Sequence, residues 1–240
     1  MGAAGDLALL RLLQLADSGF PSGAYTLSNG LETLVADGAI SSADDLADFV
    51  RVHLLAKVAR SDLIALLAAH DAGDAGADAT ADADRIELIV AIDRRLTAAK
   101  IAADDRIGSA RVGRRLTTEV ARLVPSASLL AFLQAIEDQR TAGNAAVAFG
   151  LAGRAFGVER RQTALAASSA MVIGLGAAAV RLGLIGHGAA QRLVTEAAPE
   201  IASAVDAAAR GHWSDLWPSA PQIEVALAAH ETAAARQFAS

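Results

Sequence analysis

The chain has 240 residues, 53% hydrophobic and 20% charged, with a formal net charge of −6 and no cysteine. Its apolar content excludes global disorder, and the missing cysteines exclude disulfides, thiolate metal ligands and a cysteine nucleophile together. A pI near 5.3 leaves no basic field of the kind that general nucleic-acid binding needs. The length fits one large domain over 1–240, and the apolar residues are chiefly Ala, Leu and Val, which favours close-packed helices. The predicted fold class is all-α, a single-domain bundle of about ten helices.

In chain order, Leu7, Leu10 and Leu13 set a first helix that stops before Pro21. The stretch Leu12 to Glu32, LLQLADSGFPSGAYTLSNGLE, breaks at Asp17-Ser18-Gly19 and turns through Phe20-Pro21-Ser22-Gly23. It then re-enters helix with Tyr25, Ser28, Gly30 and Glu32. Tyr25 is the chain's only tyrosine, and its place in a Gly/Pro/Ser corner reads either as a rigid bend or as a recognition surface. Ser41 and Ser42, followed by Asp44 and Asp45, cap a helix over Leu46 to Val58, and Ser61-Asp62 open another over Leu63 to His70. Asp71 to Asp84, DAGDAGADATADAD, has no large apolar residue and reads as a flexible acidic loop. It lacks the central Gly and terminal Glu of a calcium loop at the required offsets.

Helical patterns resume over Arg85 to Lys100 and Arg106 to Leu123, and Pro125 stops the second. Ser126 or Ser128 caps Leu129 to Arg140, and Thr141 to Asn144 punctuates before Val147 to Phe156. Thr163 to Val180 carries no charge and is nearly long enough to span a bilayer, but it is built from Ala, Gly and Ser without an aromatic belt. It reads as a buried central helix, with no membrane. A glycine-rich turn, Gly183 to Gly188, precedes helix over Ala189 to Arg210; Trp213 to Pro221 is a loop, and Ile223 to Phe238 the last helix.

The residues offer no self-contained catalytic apparatus. Gly174-Leu175-Gly176 followed by Ala179 loosely fits a dinucleotide fingerprint, but that mechanism needs a preceding strand and this stretch is helical. His53, His70, His187, His212 and His230 show no metal-ligand spacing, and position 234 is Ala where a zinc-protease helix starting at His230-Glu231 needs its second histidine. No metal, cofactor, Ser-His-Asp set or phosphate loop is expected. Arg111, Arg114 and Arg115 share a helix face, read as a solvated patch or a partner contact. Arg181, ending the uncharged run, leaves pairing inside the fold and surface recognition both open.

LLQLADSGFPSGAYTLSNGLE resembles the N-terminal signature of the UreF family of urease accessory proteins, where a Leu-Gln-Leu helix leads through a Pro-x-Gly corner to Gly-Leu-Glu. Three further blocks follow in the family's order: Val147 to Ala152; Ala178 to Leu182 with Gly186 and Gln191-Arg192-Leu193; and Pro221 followed by His230-Glu231-Thr232, Arg236, Phe238 and Ser240. The chain departs from the pattern at Asn144-Ala145-Ala146, at Leu184 to His187, and in the tail, where Ala233 to Ala235 replace a usual tyrosine.

The resemblance implies an all-α homodimer without enzymatic activity. It implies partners as well: a nickel-carrying GTPase (UreG-type), the UreD/UreH-type accessory protein and, through their complex, apo-urease. Carried over residue by residue, it assigns Tyr25, Ser28, Glu32 and Arg181 to the surface facing the GTPase. His230, Glu231, Arg236 and Phe238 are assigned to docking of the D/H-type protein, with Phe238 as the apolar anchor. The start, Met1 to Asp6, lacks the positive charge of a secretory signal, so a cytoplasmic protein is the default expectation. The altered tail keeps an alternative open, a helical regulator of a different GTPase unrelated to urease.

Overall fold

A computed structural model of the chain describes residues 3–73, 83–233 and 235–239. Among these are twelve α-helices and no strand, so the all-α expectation holds with two more helices than anticipated. They are α1 (Ala3–Ala16), α2 (Leu31–Ala36), α3 (Ala43–Val52), α4 (Asp62–Ala72), α5 (Ala83–Ala99) and α6 (Ala103–Leu123), then α7 (Ala127–Glu137), α8 (Ala145–Ala155), α9 (Arg160–Arg181), α10 (His187–Glu196), α11 (Ala198–Ala208) and α12 (Pro221–His230).

Local chemistry sets several of the boundaries. Ser42 Oγ accepts from Asp45 N at 3.1 Å and the Asp45 carboxylate returns to Ser42 N at 3.0 Å, a reciprocal capping box that opens α3. Ser126 Oγ accepts from Leu129 N and opens α7 in the same way. After α3 the chain passes without a break into one turn of π-helix (His53–Lys57) and one of 3-10 helix (Val58–Arg60).

Four expectations change. Helix over Ala189 to Arg210 is two helices, because Pro199 has no N–H to continue α10 and instead occupies the first turn of α11. The last helix ends at His230 rather than Phe238: from there the backbone leaves helix, and its N–H groups at Gln237 and Phe238 are taken by the Glu32 carboxylate. The corner holds only a 3-10 turn at Ala24–Thr26, and α2 begins at Leu31. The expected acidic loop is trimmed at both ends, since Asp71 and Ala72 close α4 and Ala83 and Asp84 open α5; its centre, 74–82, lies outside the described residues.

Two apolar clusters form the interior. The first gathers Leu66, Ile89, Leu96, Phe132, Leu151 and Phe156 from α4, α5, α7 and α8 and the turn after α8. The second gathers Leu31, Leu46, Phe49, Leu175, Leu193, Ile223 and Phe238 from α2, α3, α9, α10, α12 and the tail. Small residues permit the close approaches: a Cβ on Gly150 of α8 would run into the Leu66 carbonyl of α4, and one on Gly113 of α6 into the Gly143 carbonyl. Helix α9 packs on α1, α4, α8, α10 and α11. It is long and apolar enough to cross a membrane, and 44% of its most apolar window is buried within the fold, so it is a central helix with one open side.

Candidate partner-docking site

The corner after α1 is held by local hydrogen bonds. Asp17 Oδ1 accepts from Gly19 N at 2.6 Å, and Thr26 Oγ1 donates to the Gly23 carbonyl at 2.9 Å. Gly23 at φ +81° and Gly30 at φ +87° occupy the left-handed region, where a side chain would be strained. Gly30 also faces Ala226 and Leu227 of α12 at 3.4 Å from the position of an added Cβ. The result is a bend that presents the Tyr25 ring outward, 61% exposed, while Ser28 is fully buried with its Oγ near Glu32 N at 3.5 Å.

Glu32 is the centre of the site. Its Oε1 accepts from Gln237 N at 2.7 Å, and its Oε2 accepts from Phe238 N at 3.1 Å and from His230 Nε2 at 3.0 Å. The other ring nitrogen of His230, which is 1% exposed, lies 2.8 Å from Asp104 Oδ2. With one ring nitrogen on each carboxylate, His230 bridges α2 and α6. Arg236 adds a cation: Nη1 donates to Asp104 Oδ2 at 3.3 Å and Nη2 to the Glu231 carbonyl at 2.5 Å. Glu231 completes the lock. Residue Ala102 offers no capping side chain to α6, and Glu231 Oε1 takes the Ala103 and Asp104 N–H groups at 2.6 and 3.4 Å instead.

Arg181 joins the corner to the tail. Its Nη2 donates to the Tyr25 carbonyl at 2.6 Å, and its guanidinium carbon lies 4.2 Å from the Phe238 ring centroid, a cation–π contact. Ala239 N donates to the Thr26 carbonyl at 2.8 Å. All eight residues singled out in the sequence, Tyr25, Ser28, Glu32, Arg181, His230, Glu231, Arg236 and Phe238, therefore fall in one assembly, although they come from the two ends and the middle of the chain. Their exposures divide them. Tyr25, Arg181 and Arg236 reach solvent, whereas Ser28, His230 and Phe238 are buried and shape the surface from beneath. Phe238 fills the second apolar cluster and the Arg181 face rather than standing free.

A cavity of about 550 Å³ opens beside the corner, lined by Tyr25 and Arg181 at one side and by His53, Lys57, Lys100 and Asp105 at another. The sequence reading missed this charged group. Lys57 pairs with Glu224 and, at 2.9 Å, with Asp105; Lys100 pairs with Asp62 at 2.9 Å and Asp105 at 3.1 Å. Burial alone would lower the Lys100 pKa, but Asp105 and Asp62 outweigh it and raise it above the ordinary lysine value. Burial would likewise raise Asp105, and the two ammonium groups hold it well below the usual carboxylate range. His53 is pushed down to about 4, first by burial and then by Lys57. One signal was available: Lys57 and Lys100 are the only lysines in the chain. Asp104, which grips His230 and Arg236, carried none beyond its place in a helix's first turn. Among the described residues no group of three or more His, Asp and Glu is placed to hold a metal ion.

A family model described as UreF matches residues 40–198. The chain is 30% identical over 235 residues to the urease accessory protein UreF of Trichodesmium erythraeum (strain IMS101), covering 96% of each chain. It is 29% identical over 230 residues to urease accessory protein UreF 1 of Brucella melitensis biotype 1, covering 96% of this chain and 92% of the relative. Against the urease accessory protein UreF of Bacillus sp. (strain TB-90) it is 28% identical over 232 residues, covering 97% and 99%. The relatives match over nearly the whole chain and the family model over residues 40–198, which together support a urease accessory role; the chain belongs to the UreF family.

Proposed function

We propose that the chain is a non-catalytic scaffold of urease maturation that acts in the cytoplasm as a homodimer. It bridges a nickel-carrying UreG-type GTPase and the UreD/UreH-type accessory protein, so that nickel reaches apo-urease through their complex. The observation that carries this reading is the joining of the corner, Arg181 and the C-terminal tail into one surface through Glu32 and His230. A partner touching that surface would sense both chain ends at once. Tyr25 and Arg181 contact the GTPase directly; Ser28 and Glu32 act by setting the corner's shape. Glu231 and Arg236 hold the tail, with His230 and Phe238 as its buried anchors, in the form that the D/H-type protein reads.

Reconstitution from the purified chain, the GTPase and the D/H-type protein, followed by mass measurement of the assembly, tests this reading. A stable complex containing two copies of the chain and both partners is the expected result. Failure to bind either partner sinks it and favours the regulator of an unrelated GTPase. Truncation before His230 should abolish co-purification with the D/H-type protein.

A further inference from the structure

The fold brings together two features far apart in sequence, the arginines of α6 and the corner. Arg111, Arg114 and Arg115 are all exposed. Arg111 Nη2 donates to Thr26 Oγ1 at 2.9 Å, and Arg115 Nη1 lies 4.0 Å from where a Cβ on Gly23 would sit. Arg181 approaches the same corner through the Tyr25 carbonyl. Three guanidinium groups thus gather at the corner that carries the chain's only tyrosine, and Arg114 lies on the same face of α6 as Arg111.

Their counter-charge is missing. Several other exposed arginines have carboxylate partners within the fold: Arg51 with Asp48, Arg122 with Glu119, Arg140 with Glu87, Arg160 with Asp71 and Arg161 with Asp206. Among the described residues no ion pair neutralises Arg111, Arg114, Arg115 or Arg181; the first and last meet only a hydroxyl, a carbonyl and a ring. The corner's own carboxylate, Asp17, is turned onto Gly19 N. In a chain of net charge −6 this is a local positive field without internal compensation. Guanidinium forks suit carboxylates, and arginine with tyrosine is the composition that dominates interface energetics.

We propose that this face is a docking surface for an acidic protein segment, whose carboxylates pair with Arg114 and Arg115 while an apolar side chain covers Tyr25. The inference rests on the scaffold reading and deepens it: the GTPase surface that meets the corner is acidic. A protein is favoured over a nucleic acid because the chain's overall negative charge opposes a long polyanion beyond the patch.

The test titrates full-length wild type and the double variant Arg114→Glu/Arg115→Glu against the purified UreG-type GTPase together with the D/H-type protein. Binding is measured at low and high salt, with thermal melts as the folding control. Wild type should bind and lose about tenfold in affinity across the salt range. The double reversal should bind at least ~30-fold more weakly, chiefly through a slower association rate, with its melting temperature unchanged. The gentler Arg114→Gln/Arg115→Gln variant should fall between the two. Wild-type-like binding by the reversal, or salt-independent wild-type affinity, overturns the acidic surface while leaving the scaffold intact. Wild type that binds neither partner sinks the scaffold reading itself. Equal affinity for an oligonucleotide, lost in the same variant, would replace the protein segment with a nucleic acid.

Discussion

Two acids, the buried Asp93 and the half-buried Glu32, use the same chemistry for different ends. Asp93 on α5 is fully buried and accepts from Thr141 Oγ1 at 2.6 Å, Gly143 N at 2.9 Å and Asn144 N at 2.7 Å. Asn144 Nδ2 also donates to Asp93 Oδ1 at 3.1 Å and to Thr97 Oγ1 at 2.7 Å. That knot fastens the turn before α8 to α5 and presents nothing to solvent. Glu32 likewise gathers backbone N–H groups from a distant segment, but the segment is the tail, and its neighbours Tyr25 and Arg181 are exposed. A carboxylate collecting N–H donors is thus a staple of the core in one place and the support of a docking edge in the other. Surroundings decide which.

The comparison predicts unequal costs. Asp93→Ala leaves several buried donors without an acceptor and should destabilise the fold most, by about 4 kcal/mol in denaturant titration. If the loss were under about 1 kcal/mol, the knot would not be the staple described here.

Acid should expose the interior next. His53 is held neutral in the fold, so between its ordinary value of 6.5 and about 4 the unfolded chain binds the extra proton. Stability should therefore be intact above pH 6.5 and fall through that window by on the order of 3 kcal/mol. His70 is lowered as well, mainly by burial, and adds to the loss with the same sign. His53→Phe should flatten the slope, and an unchanged pH profile would show that His53 does not carry it.

Glu32→Ala should cost less in stability, about 2 kcal/mol, because the freed tail can meet water. Its functional cost should be larger than that of Asp93 variants that remain folded: retention of the D/H-type protein should disappear, and proteolysis should begin within 231–239. Smallest in stability is Arg181→Ala, within about 1 kcal/mol of wild type by thermal melt, since its partners are a carbonyl and a ring near the surface. The same variant should bind the GTPase at least ~10-fold more weakly. Full urease activation by a folded Arg181→Ala protein would remove Arg181 from the interface.

Much of this was legible in the sequence. Periodicity and capping residues placed most helices, because Ser42 with Asp45 and Ser126 with Leu129 are local interactions. The eight candidate residues were singled out through a resemblance in short blocks, each of which occupies one continuous stretch. What stayed hidden was non-local. Nothing near Asp104 announces that it faces His230 across 126 positions, and nothing in QRTAGNA announces Asp93 as its acceptor. The end of the last helix was missed for the same reason: an Ala-rich tail favours helix by propensity, and the Glu32 carboxylate overrides it.

By itself, then, the sequence determined the all-helical class, the sharp bend at Asp17 to Glu32, and the absence of cysteine chemistry, since composition, glycine conformations and caps act within a few residues. Tertiary structure alone decided that the bend, the end of α9 and the tail form one surface, and that Arg111 and Arg115 stand beside it. Charges and hydrogen-bond donors find partners by distance in space, and only the packed helices set that distance.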